Sequence, residues 1–279
     1  MSAHVTTATD ARSRRPIVTE LTPPLILPTS DALSLLAAGE LSVEGRITTA
    51  SNATLYCRIE ADGVVAACVY KPVAGERPLW DFPDGTLAER EVAAYLVSAA
   101  TGMNLIPPTL LRDGPFGPGM VQLWIAEDES ADVVSMINAG QSSALQRMAL
   151  LDSILNNSDR KVSHLLPVPA AAQGLSGTGE TVAAAEYHIY GVDHGVSFGI
   201  ENKLRTVLWQ WAGEPVPEEG IAMLRTLAST FDTGLGDQLA ELLTTREVKA
   251  TRNRINRLLR RPVFPMPPTD WPAVPYPPY

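Results

Sequence analysis

The sequence predicts an α+β fold in two successive parts, a small antiparallel sheet carrying one helix and then a mainly helical half. Three observations predict it. Between residues 41 and 70, apolar side chains alternate in short runs broken by turn residues, the pattern of paired strands. Beyond residue 141 the apolar spacing changes to three and four, as on one face of a helix. The chain also has 279 residues, 45% of them hydrophobic and 19% charged, enough for one large domain or two lobes.

Residues 1–29 are rich in Thr, Ser and Pro and read as a disordered or extended leader. Arg14 and Arg15 are followed by no apolar signal core. Ser30-Asp31 is expected to cap a short helix over 32–38, ended by Gly39. Three strands follow, and Asp62-Gly63 is a two-residue hairpin turn. That turn sets Cys57 opposite Cys68, Tyr56 opposite Val69, and Thr54 opposite Lys71. Two cysteines make no disulfide framework, so a reduced apolar pair is expected, with an oxidised pair as the alternative. After an irregular insert over 76–86 comes a helix, Leu87–Ala100, with Leu87, Val92, Tyr95 and Leu96 as its apolar stripe. Pro107-Pro108 leads into a strand over 109–112, then a Gly/Pro turn over 113–119 and a strand over 120–125.

In the second part, residues 141–157 form an amphipathic helix through Leu145, Met148, Leu151 and Leu155, and further helical runs cover 218–232 and 234–259. Between them lie short strands at 165–168 and 184–190, joined by a loose loop. The loop contains Gly174-Leu-Ser-Gly177-Thr-Gly179, but no Lys-Ser/Thr follows and no helix opens after it, so a hairpin tip is expected rather than a phosphate loop. Residues 262–279 are Pro-rich and read as an extended tail. The resulting organisation is a leader (1–29), an N-lobe (30–126), a C-lobe (127–261) and a tail (262–279).

Lys and Arg number 22 against 31 Asp and Glu, a net charge of −9 that argues against a nucleic-acid partner. No apolar run approaches ~18 residues, so no integral membrane association is expected, and the protein reads as cytoplasmic.

The chemistry is concentrated in two motifs. Asp159-Arg160 leaves a helix, and Tyr190-Gly-Val-Asp193-His-Gly ends a hairpin strand. Their order and spacing are the layout of a kinase active site, in which one Asp orients the attacking hydroxyl and the other holds a metal bridging the ATP phosphates. Lys71 leaves the third strand where an ammonium can reach the phosphates, although a lone strand-end lysine is more often a surface residue. Val69 and the opposing Tyr56 share a face suited to a nucleobase. Glu91 is a partner for Lys71 and Glu89 its rival. Glu91 is favoured because it lies with Ala94 and Tyr95 beside the apolar stripe.

Three segments, Arg90-Glu-Val-Ala-Ala-Tyr-Leu96 with Leu105-Ile-Pro-Pro-Thr109, Leu151-Asp-Ser-Ile-Leu-Asn-Asn-Ser-Asp159-Arg160, and Val192-Asp-His-Gly-Val-Ser-Phe198, resemble the phosphatidylinositol 3-/4-kinase-like superfamily, the type II phosphatidylinositol 4-kinases in particular. With Tyr70-Lys-Pro, the segment Gly75 to Pro83 and Lys203-Leu-Arg-Thr-Val-Leu-Trp209, the chain looks closer still to an uncharacterised actinobacterial family with a phosphatidylinositol-kinase-like catalytic core. The resemblance implies a bilobal protein-kinase-like fold. It makes Lys71 the phosphate-binding lysine, Glu91 its partner, Asp159 the catalytic-loop aspartate and Asp193 the metal-binding one. The turn at Ser51-Asn52 would cover the phosphates, with Thr54, Tyr56 and Val69 beside the nucleotide. The strand over 120–125 would lead to the adenine edge, flanked by Gln122 or Trp124.

One position departs from the superfamily. Five residues after the catalytic-loop aspartate, its Asn ligand to a second metal is replaced here by His164. A neutral imidazole can take that role, and a hydrogen-bonded structural histidine is the alternative. His188 reads as a strand residue and His194 as a brace for Asp193. Lys203 and Arg205 either meet an anionic acceptor or are solvated charges opening a helix whose core residues are Leu208, Trp209 and Trp211. The implied activity is an ATP- and Mg²⁺- or Mn²⁺-dependent phosphotransferase. No basic cluster is evident, so the expected acceptor is a protein or soluble small molecule rather than a lipid. The alternatives are a nucleotide-binding pseudokinase and a protein AMP-transferase.

Overall fold

A computed structural model describes residues 5–7, 27–48, 50, 52–170 and 187–279. The Gly174–Gly179 motif, Ser51 and most of the leader lie outside them, as does the beginning of the expected strand at 184. The chain forms two compact units, Met1–Val92 with Pro107–Ala126, and Ala93–Ile106 with Glu127–Tyr279.

The first unit is a six-stranded antiparallel sheet. Its strands are β1 (Val5–Thr7), β2 (Glu40–Ile47), β3 (Leu55–Ala61), β4 (Val64–Pro72), β5 (Thr109–Gly114) and β6 (Gly117–Leu123), in the order β1-β2-β3-β4-β6-β5. Asp62 and Gly63 both have positive φ, as the two-residue turn requires, and the β3–β4 register pairs Cys57 with Cys68 and Tyr56 with Val69. The ladder ends at Leu55–Tyr70, so Thr54 and Lys71 are not a paired rung; Thr54 instead accepts from the Ile47 amide. Both cysteines are free and buried, and the Cys57 thiol beside Cys68, with burial, pushes the Cys68 thiol up.

Period-2 alternation gives this sheet two different faces. Cys57, Ile59, Ala66, Cys68, Tyr70 and Val121 form a core with Leu35 and Leu36 of helix α1 (Thr29–Ala38). The helix begins earlier than its Ser30-Asp31 pair suggested. Pro28 is the N-cap residue and its carbonyl accepts from both Asp31 and Ala32, which leaves Asp31 inside the first turn. At the other end Arg112 donates to the carbonyls of Leu36 and Gly39, satisfying groups the helix cannot.

The β5–β6 hairpin is longer than the Gly/Pro-rich sequence implied, because Gly114 pairs with Gly117 and the turn shrinks to Pro115-Phe116. The glycines are needed for close approach. A Cβ on Gly119 would sit 2.4 Å from the Lys71 carbonyl oxygen, and one on Gly114 would sit 2.7 Å from the Tyr70 ring. Tyr70 lies in the space they leave and donates its hydroxyl to the Gly117 carbonyl at 2.6 Å.

Helix α2 (Leu87–Ala100) begins in the first unit and ends in the second. Its first amides, Leu87 and Ala88, donate to the Glu76 carboxylate, so the irregular insert caps the helix. In the second unit α3 (Val133–Ala139) was not anticipated, although its Asp132 cap and left-handed Gly140 are ordinary start and stop signals. Helix α4 (Ser143–Leu155) is capped by Ser142 and ends at Asn156 in the left-handed conformation. Strands β7 (Leu165–Pro169) and β8 (Tyr187–Gly191) pair antiparallel.

The long run expected over 234–259 is broken. Helix α5 (Glu218–Thr230) passes through a wide turn containing Gly234 into the short α6 (Gly236–Ala240), and α7 (Thr245–Arg260) starts afresh. The restart is a capping box, Thr244 with Glu247, whose Ser/Thr-x-x-Glu spacing is plain in the sequence. Residues 203–211 form no helix. They are irregular, with Leu208 and Trp211 buried. The Pro-rich segment is fastened to the second unit by Val162 N–H to Pro278, Thr206 N–H and Trp209 Nε1–H to Ala273, and reciprocal bonds of Phe264 with Gly213 and Glu214. Among the described residues no helix is long and apolar enough to cross a membrane.

Gly119→Ala should destabilise the protein by about 1–3 kcal/mol, because its new methyl meets backbone rather than a movable side chain. A denaturant midpoint equal to that of the parent would show that the β4–β6 ladder is looser there than the structure has it.

Candidate active site

In the first unit, Lys71 lies at the end of β4 and Glu91 on the second turn of α2. Lys71 Nζ is 2.6 Å from Glu91 Oε1, with the Glu91 side chain 2% exposed and that of Lys71 18%. Glu91 is thus the partner of the lysine. Burial, then the neighbouring Glu76, pushes the Glu89 carboxyl up. A carboxylate so enclosed keeps its charge only with a cation beside it, so the pair fixes the lysine relative to the sheet.

Lys71 follows Val69 by two residues, on the sheet face opposite α1. There Ile47 and Tyr56 are buried against Ala50, Ala67, Val69 and Trp124, and the Tyr56 and Trp124 rings meet edge to face at 5.1 Å. Of the two candidates at the adenine edge, Gln122 is buried and donates to Thr109 Oγ1 at 2.8 Å, whereas Trp124 adds its ring to this apolar face. The Trp124 amide already donates to the Ala67 carbonyl. Asn52, expected to cover the phosphates, is anchored rather than loose. Its Oδ1 accepts from the Arg77 amide at 2.9 Å, and the Ala53 amide donates to Gly75, tying the β2–β3 turn to the segment after β4. Thr54 is buried, and its hydroxyl turns back to the Asn52 carbonyl.

In the second unit, the loop after α4 and the loop after β8 are joined through one side chain. Arg160 is 0% exposed and places all five N–H donors. Nε and Nη2 grip the two oxygens of buried Asp152 at 2.9 Å each. Nη1 donates to the carbonyls of Val192 and His164, and Nη2 also meets His194 Nε2 at 2.6 Å. Since a guanidinium only donates, His194 accepts there, so its ring is neutral with the proton on Nδ1. Gly191 makes room for this, because a Cβ on it would lie 2.8 Å from Met148 and 3.1 Å from Arg160 Nη2. Asn157 completes the arrangement by donating to Asp152 and accepting from the Asp159 amide.

These two loops carry the candidate reactive groups. Asp159 is partly exposed at 31% and accepts from Lys161 Nζ at 3.0 Å. Burial pushes its carboxyl above the ordinary aspartate range, Lys161 opposes that, and the like charge of Asp193 adds to it. Asp193 sits in the left-handed region with its side chain 50% exposed, and His164 Nε2 lies 3.4 Å from its Oδ2. The structure therefore brings Asp159, His164 and Asp193 to one place. Among the described residues no three His, Cys, Asp or Glu side chains converge as a metal cage. His164 and Asp193 supply one nitrogen and one carboxylate. His188 is a strand residue, its Nε2 at 3.0 Å from the Asn104 carbonyl oxygen and its pKa lowered by burial. Lys203 pairs with Glu201 at 3.3 Å and lies over the Trp271 ring, and Arg205 gives its carbonyl to the Arg160 amide.

Sequence reading missed Asp152 and the depth of Arg160. A signal was available, since Asp152 is the single charge in the apolar stretch from Met148 to Leu155, and a buried carboxylate needs a cation.

No family model matches the chain. Among solved structures it is similar to the Golgi casein kinase with Mn/ADP bound, with a TM-score of 0.53 at 12% identity over 83% of this chain and 74% of that one. A second structure of the Golgi casein kinase gives a TM-score of 0.52 at 12% identity over 83% and 73%. The fold is kinase-like, with an antiparallel sheet in the first unit and a helical second unit. The sequence is also 41% identical, over 87% of this chain and 95% of the relative, to Protein Rv2133c of Mycobacterium tuberculosis (strain ATCC 25618 / H37Rv). The chain belongs to the family of Protein Rv2133c.

Proposed function

We propose that the protein is an ATP- and divalent-metal-dependent phosphotransferase, related to the phosphatidylinositol-kinase-like superfamily, with a protein or soluble small molecule as acceptor. The observation that carries this reading is the pair of partly exposed aspartates, Asp159 and Asp193, on two loops that share buried Arg160. The Golgi casein kinase, described with Mn/ADP bound, supports the same cofactor class.

The geometry within each unit supports the following roles. Lys71, held by Glu91, offers its ammonium to the nucleotide phosphates. The Tyr56, Val69 and Trp124 face accepts the base by apolar contact. Asp159, whose carboxyl is made more basic by burial, orients the acceptor hydroxyl and receives its proton. Lys161 beside it offsets negative charge where an anionic phosphoryl group must come. Asp193 and His164 are the residues that would hold a divalent ion, and two protein ligands suffice for an ion that takes its other oxygens from phosphates and water. Such an ion would neutralise phosphate charge and polarise the transferred group. Ser51 and Asn52 would cover the phosphates. No observation favours AMP transfer. Mass spectrometry after incubation with ATP and metal separates it from phosphorylation by the mass gained.

Three outcomes are expected. ATP with Mn²⁺ or Mg²⁺ should raise the melting temperature, by about 2.7 kcal/mol of stabilisation at a hundredfold excess over Kd. Lys71→Ala should abolish most of that shift, read against its own lower baseline because Glu91 loses its partner. No shift and no calorimetric binding in the parent protein at millimolar nucleotide would remove the proposal's basis. Asp159→Asn should retain nucleotide binding and lose about 10²–10⁴-fold in turnover, whereas Asp193→Asn should lose metal-dependent binding. Equal loss of binding in both variants would mean the roles are assigned wrongly. Finally, an imidazole ligand suits Mn²⁺ better than Mg²⁺, so His164→Asn should move the metal preference toward Mg²⁺. An unchanged preference ratio would make His164 a structural residue.

A further inference from the structure

Helix α7 is the exception to an acidic protein. In its 16 residues it holds Arg246, Lys249, Arg252, Arg254, Arg257 and Arg260 against one acid, Glu247, in a chain whose net charge is −9. The spacing sorts them. Glu247, Thr251, Arg254, Ile255 and Leu258 face inward, and Arg254 spends its guanidinium on the carbonyls of Ile154 and Gly199 and on Thr251 Oγ1. Arg252 is paired with Asp232. The other four cations, Arg246, Lys249, Arg257 and Arg260, are exposed and line one groove of about 580 Å³ with Asn253, Ile200 and Asn202. No acid lines that groove, and among the described residues the ion pair of this helix uses Arg252 and none of these four. The basic cluster that seemed absent from the sequence is thus assembled by one helical face, where Arg246, Lys249, Asn253, Arg257 and Arg260 follow one another at spacings of three and four.

The groove's other wall comes from a different part of the chain. Ile200 and Asn202 belong to the segment that follows Asp193, and Gly199 within it is anchored by Arg254 and by Asn156. Ile200, nearly half exposed, adds an apolar contact.

We propose that this groove docks an acidic peptide segment of the protein acceptor. From Arg246 to Arg260 the helix rises ~21 Å, which an extended peptide of about six residues covers. A single small anion would engage only part of such a row. A protein of net charge −9 is repelled as a whole by an anionic membrane, so a local row of cations suits a peptide better. The binding itself does not depend on the phosphotransferase reading; only the description of the bound protein as acceptor rests on it.

The test is fluorescence anisotropy with a labelled octaglutamate peptide, alongside co-sedimentation with phosphatidylserine vesicles and titration with a single-stranded oligonucleotide. The parent protein should bind octaglutamate at low salt and less tightly as salt screens the charges. Lys249→Ala/Arg257→Ala should weaken that binding about tenfold or more while its melting temperature and nucleotide-induced shift match the parent's. The proposal is overturned if octaglutamate does not bind, if the double variant binds it as the parent does, or if the variant loses vesicle or oligonucleotide binding instead. A parent protein that shows no nucleotide shift yet loses peptide binding on substitution would strike the phosphotransferase reading while supporting the groove.

Discussion

The second unit depends on the buried ion pair between Asp152 and Arg160. Desolvating two full charges is expensive, and such a pair is tolerated only when each remaining donor and lone pair finds a partner. Arg160 meets that condition by reaching beyond its own loop to the carbonyls of Val192 and His164 and to His194. The demand to satisfy a guanidinium therefore brings two loops distant in sequence into one arrangement. Asp159 and Asp193 are the partly exposed neighbours of this network.

The first unit solves a similar problem in smaller form. Its sheet needs one face for the core under α1, and period-2 alternation then leaves the other face with Tyr56, Val69, Lys71 and the Trp124 ring. Close glycine contacts at 114 and 119 let the strands pack around Tyr70 immediately before Lys71. Glu91 then holds the ammonium. In both units a buried charge positions a candidate functional one.

Much of this was legible in the sequence, and the reasons can be traced to particular residues. Asp62-Gly63 permits essentially one turn type, so the register from Leu55 to Val69 followed from two residues. The α2 boundaries and the choice of Glu91 followed from the apolar stripe. What escaped were features where tertiary packing overrides local pattern. Arg160 reads as a loop cation until Asp152 is seen to be buried behind it. Residues 203–211 have the apolar spacing of a helix but exchange backbone hydrogen bonds with Asn157, Arg160 and Ala273 instead. Ser30-Asp31 looks like a cap, yet the Pro28 carbonyl had already started the turn. The split between α6 and α7 was a different failure, because the capping box was visible and a continuous helical period obscured it.

The Pro-rich segment has a consequence for how the protein is made. The Val162 amide, three residues past Asp159, donates to the Pro278 carbonyl, and Ala273 receives both Thr206 and Trp209. A ribosome emits the chain from one end, so the Asp159 loop lacks these partners throughout synthesis of α5, α6 and α7. Its backbone hydrogen bonding closes only when translation has passed Pro278. Every residue of the sheet and of α5 to α7 is thus synthesised before the loop bearing the candidate acceptor-orienting aspartate has its full set of backbone partners.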